Sequence, residues 1–107
     1  MGTIENERWL SRRGEAIQIL RKNYGGSALA PQDRLIEILW HVSRSMKSTG
    51  DLAAARSLDP TFIKDGLTMA TALALPTAIA AFSASEGGLE RCFFDVFETV
   101  CGELRQL

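Results

Sequence analysis

Apolar residues recur at spacings of three and four along most of this chain, and no β-branched run alternates with a period of two. The first pattern gives an α-helix one greasy face; the second is what a half-buried strand requires. The pattern is clearest between Pro31 and Ser48. Leu35, Ile38, Leu39, Val42 and Met46 fall on one stripe, which Ile36 and Trp40 widen. Arg34, Glu37, His41, Arg44 and Ser48 fall opposite and are expected to face water. Pro31 suits the first helical turn, where its missing N–H is not needed. Asp33 complements the positive helix end, and Gly50 supplies a stop.

Glycine and proline mark off the other segments. A first helix is expected over Ile4–Tyr24, with Trp9, Leu10, Ala16, Ile17, Leu20 and Tyr24 apolar and Arg12, Arg13 and Gly14 interrupting the stripe. Gly25-Gly26 ends it, and a loop runs to Ala30. Asp51 is placed to cap a short helix over Leu52–Leu58. Asp59-Pro60 reads as the cap and first turn of a fourth segment, with Phe62, Ile63, Leu67, Ala70, Leu73 and Ala74 inward. Pro76 predicts a kink or break near Leu75, followed by helix to about Ala84. Gly87-Gly88 is a further break, and the last helix is expected over Leu89–Leu104. The expected fold is all-α: one domain over residues 1–107, a compact orthogonal or up-and-down bundle of four to five helices.

The uncharged stretch Gly66–Ser85 is long enough to raise the question of a membrane span. Alanine dominates it, Pro76 interrupts it, and no Lys/Arg cluster flanks it, so it reads as a buried central helix. The polar start, Met1 to Trp9, does not read as a signal peptide. Two cysteines, Cys92 and Cys101, lie on opposite sides of one helix and cannot bridge each other. A reducing cytoplasm is the expected location. Net charge is −1, which gives no overall bias toward nucleic acid. The charge is nonetheless uneven. Residues 1–57 hold nine Lys/Arg and six Asp/Glu, and residues 58–107 hold three and seven.

Several chemistries lack their residues. The single histidine, His41, has Glu37 at i−4 to orient it, but the nearest cysteine is 51 residues away and both cysteines lie in apolar surroundings that keep a thiol inert. One histidine and two back-to-back cysteines do not make a zinc site, and Glu37 to His41 is not the Glu-x-x-His spacing of di-iron bundles. Gly25-Gly26-Ser27 lacks the Gly-Lys of a phosphate loop. The helix pair Leu35–Met46 and Leu52–Leu58 resembles a helix-turn-helix in layout only, since the second helix offers just Arg56 and Ser57 to DNA. No metal, no cofactor and no enzymatic activity are expected.

What remains is an apolar surplus. The last helix has an apolar arc of about 200°, twice the width a surface helix needs. Leu89, Phe93 and Val100 serve a core, leaving Phe94, Phe97 and Cys101; the second helix repeats this with Ile36 and Trp40. These five are the candidate partner-interface residues of a protein–protein interaction module, an adaptor, immunity, chaperone-like or regulatory type, self-associating as a homodimer through the C-terminal helix. Two alternatives stand beside it. One is a small-molecule or lipid site in an apolar cavity, opened by Pro76 and small residues such as Gly66, Ala70, Ala78 and Ala81. The other, nucleic-acid binding through the first helix, rests on Arg8, Arg12, Arg13, Arg21 and Lys22.

Overall fold

The computed structural model describes residues 2–25 and 29–107. Six helices follow one another in this part of the chain: α1 Gly2–Tyr24, α2 Pro31–Thr49, α3 Ala53–Leu58, α4 Phe62–Ala72, α5 Pro76–Ser83 and α6 Glu86–Arg105. No strand occurs among the described residues. The all-helical reading holds, with six helices in place of four to five. Gly26, half of the expected Gly25-Gly26 terminator of α1, lies outside the described residues.

The extra helix comes from the break before Pro76, which is complete rather than a kink. Leu75 N–H bonds Ala70 C=O at 3.1 Å and Ala74 N–H bonds Thr71 C=O at 3.1 Å. Ala74 sits at φ 56. This is the paired-bond left-handed ending that glycine usually supplies, here made with alanine. The buried Leu75 side chain holds it, and Pro76 then opens α5 at its first position. An L-residue in this conformation is strained by about 1 kcal/mol or more. Ala74→Gly is therefore expected to raise stability by roughly 0.5 kcal/mol after the glycine's extra chain entropy, read as a higher urea midpoint with unchanged slope.

Other boundaries differ from the sequence pattern. Gly87 and Gly88 do not break the chain; they form the first turn of α6. Ser85 is its N-cap, and its hydroxyl accepts from Gly88 N–H at 3.1 Å, so a serine signal overrides two poor helix formers. Asp59 does not cap α4. Its backbone carbonyl takes Phe62 N–H at 3.0 Å, and its carboxylate is turned toward Arg34. Asp51 is not the cap residue of α3 either: Leu52 holds that position, and Asp51, one residue earlier, accepts Ala53 N–H at 3.1 Å.

The central helix is α2, not the alanine-rich stretch. It packs against α1, α3, α4 and α6, and Leu35, Ile36, Ile38 and Leu39 are all buried. Around it gather Leu10 and Ile17 from α1, Phe62 and Ala70 from α4, Ala78, Ala81 and Phe82 from α5, and Phe93, Phe97 and Val100 from α6. Gly14 lets α1 approach Trp40 so closely that a Cβ there would lie 2.3 Å from the indole. The interruption in the α1 stripe is thus a contact point. No helix of the described residues is long and apolar enough to cross a membrane.

Much of the uneven charge is used internally. Glu90 accepts Leu52 N–H at 2.8 Å, and Glu103 accepts Thr77 N–H at 3.0 Å and Ala78 N–H at 3.2 Å. Two carboxylates of α6 thereby satisfy the orphan N–H groups at the starts of α3 and α5. Arg56 pairs with Glu86 and Lys47 with Glu7.

Candidate functional site

The polar stripe of α2 does not simply face water. Its first turns lie beneath α1 on one side and the α3–α4 connection on the other, so Arg34 and Glu37 meet charges from three elements. Arg34 gives Nη1 to Glu37 at 2.8 Å and forks onto Asp59 with bonds of 2.6 and 2.9 Å. Its Nη2 also reaches Asp65 at 2.7 Å. Glu37 accepts Nε and Nη2 of Arg21 at 2.6 and 2.8 Å and the Gln18 amide at 3.2 Å. Thr61 donates to Asp65 at 2.8 Å. The Glu37 side chain is only 2% exposed, so these bonds supply the compensation that a desolvated carboxylate needs.

This network lines a cleft of about 480 Å³ together with His41 and the exposed Leu58. The cleft is walled by charged and polar groups rather than by the small apolar residues expected near Pro76. The electrostatics follow the bonds. Hydrogen bonding to Asp59 holds the Arg34 guanidinium well above its ordinary value, and hydrogen bonding to Arg34 holds the Asp65 carboxyl below its own. Burial pushes His41 below the usual imidazole value, against the pull of Glu37.

Most polar groups of the cleft are engaged in bonds within the chain. Both oxygens of Glu37 are held by Gln18, Arg21 and Arg34, and His41 Nδ1 is buried with no hydrogen-bond partner. His41 instead stacks on Trp40 at 5.8 Å between ring centroids, and Arg44 lies 4.9 Å from the Trp40 ring centre. Burial raises the Cys101 thiol to about 12, far from the thiolate a nucleophile needs. Cys92 is half-buried, its thiol 3.7 Å from Leu89 C=O. Among the described residues no group of three His, Cys, Asp or Glu is placed to hold a metal ion.

The five candidate interface residues separate. Ile36, Phe97 and Cys101 are buried in this chain's own core; the excess arc of α6 is covered by the neighbouring helices α1, α2 and α5. Trp40 is half-buried over Gly14. Phe94 alone projects, 61% exposed, edge-on to Phe93. The structure does not bring the five onto one surface. The groups it does bring together, Gln18, Arg21, Asp59, Thr61 and Asp65 with Arg34 and Glu37, have only two bonded local traces in sequence, the i,i+3 spacing of Arg34 and Glu37 and the i,i+4 spacing of Thr61 and Asp65.

No protein-family model, curated protein or solved structure matches the chain.

Proposed function

We propose that this protein acts through contact with other protein chains rather than through chemistry, and that it self-associates through the outer face of α6. Phe94 carries this reading. Its two neighbouring rings, Phe93 and Phe97, are buried, and Phe94 extends that aromatic cluster into solvent from a rigid helix. An aromatic ring held in this way gives a large contact area at small entropic cost, which is why such rings anchor interfaces. The fixed charges of the cleft support the same reading, because they spend their donors and acceptors on the fold.

Light scattering after size exclusion tests it. The wild-type chain is expected to show a dimer that dissociates on dilution, and Phe94→Ser to remain monomeric with an unchanged helical circular dichroism spectrum. A wild-type chain that stays monomeric at high concentration overturns the proposal.

A further inference from the structure

The outer face of α1 presents a second surface of different character. Ile4 and Ile19 project from it, 61% and 63% exposed. A shallow depression lies beside each. The first, about 430 Å³, is lined by Ile4 with Arg8, Arg12, Lys47, Glu7 and Ser11; the second, about 390 Å³, by Ile19 with Gln18, Arg21 and Lys22. Fifteen residues separate the isoleucines, about 22 Å along a helix.

The charges of this face are unevenly used. Arg13 is tied to Asp33 and Arg21 to Glu37, which removes two of the five α1 cations from any free basic surface. Arg8, Arg12 and Lys22 are exposed and have no ion-pair partner among the described residues. Glu15 is the one carboxylate of the strip between the two depressions, and Glu7 is held by Lys47 at 2.8 Å. A face with two projecting isoleucines, Arg8 and Arg12 free beside the first and Lys22 free beside the second, asks for apolar contacts carried on an acidic rod.

We infer that the outer face of α1 docks an acidic amphipathic helix of a partner protein, with two apolar side chains about 22 Å apart seated against Ile4 and Ile19. A helix laid along α1 sets its side chains into the grooves between ridges, and carboxylates beside each anchor meet Arg8, Arg12 and Lys22. Nucleic acid fits less well, because phosphates use the cations but leave both isoleucines facing water. An anionic lipid surface fits less well too, since two isolated isoleucines give a bilayer little apolar area to bury. The surface is independent of self-association through α6, and different variants probe the two.

The test uses the whole chain and a fluorescein-labelled, glutamate-rich synthetic helix bearing two leucines fifteen positions apart. Fluorescence anisotropy at low salt is expected to show saturable binding. Replacing both leucines by serine, at the same peptide charge, is expected to weaken it about tenfold, as is Ile4→Ser with Ile19→Ser in the protein, a change of about 1.4 kcal/mol. Arg8→Glu with Arg12→Glu is expected to weaken it by tenfold or more. No binding overturns the inference, and so does equal binding of the serine peptide, which means bare charge attraction. Tighter binding of a short DNA duplex, or of phosphatidylserine vesicles, than of the leucine peptide also overturns it. The peptide-side substitution keeps the outcome decisive even where a protein variant folds poorly.

Discussion

Replacing Arg34 by methionine is expected to destabilise the fold by about 3 kcal/mol, the lower end of the cost of removing one partner from a buried ion pair. The side chain of Arg34 is 14% exposed and those of Glu37 and Asp59 are 2% and 11% exposed. Methionine matches much of the arginine stem, so the loss is mainly electrostatic. Three carboxylates remain where one guanidinium stood, and Arg21 still compensates only Glu37. For a chain of this length the melting temperature is expected to fall by roughly 12 °C. Arg34→Met combined with Asp59→Asn is expected to lose less than the sum of the single changes, because the double variant no longer leaves the Asp59 charge unpaired. Additive losses in chemical denaturation contradict this account.

The same network sets an acid limb with a definite sign. Asp65 is held below the ordinary carboxylate value by its bond from Arg34. Between its folded and unfolded values the unfolded chain binds more protons, so stability rises with pH there. Asp65 stabilises the fold above the ordinary carboxylate value and loses that contribution as pH falls through its depressed one. Arg34→Met is expected to flatten this limb, because the cause of the depression is gone.

The legibility of the sequence differs by element for physical reasons. The boundaries of α2 follow from Pro31 and Gly50 because both act on their own backbone, and the stop at Leu75 follows from Pro76 for the same reason. The start of α6 was hidden because Ser85 at the N-cap outweighs Gly87 and Gly88 one turn later. Asp59 does not act as the cap its position suggests because a carboxylate beside a helix start has two competing partners, the N–H groups nearby and a cation from elsewhere. Arg34, 25 positions away in sequence, wins that competition. The interface residues suffered from the same non-locality. An apolar arc of about 200° on α6 is surplus only if few helices surround it, and α1, α2 and α5 all do. A helical wheel carries no information on how many neighbours a helix will have.

Gly66→Ala is expected to destabilise by about 2 kcal/mol, opposite in sign to the helix propensity change, which favours alanine by up to about 1 kcal/mol. Gly66 is buried in α4, and a Cβ built there would lie 2.6, 2.7 and 2.9 Å from three ring atoms of Phe82 on α5. The Phe82 ring is buried and 2% exposed, so it has no solvent side toward which to turn. The two short helices must then separate, and the expulsion of that ring from its seat costs more than the propensity gain returns. Gly102 is the control. It lies inside α6 with nothing within 4 Å of its Cβ position, so Gly102→Ala is expected to raise stability by about 0.5 kcal/mol from propensity alone. Phe82→Leu in the Gly66→Ala background is expected to recover part of the loss, since the shorter side chain vacates the clash. Denaturant midpoints of the four chains decide the matter: if Gly66→Ala and Gly102→Ala shift in the same direction, α4 and α5 are not in the close contact on which the break at Ala74 and the seat of Phe82 depend.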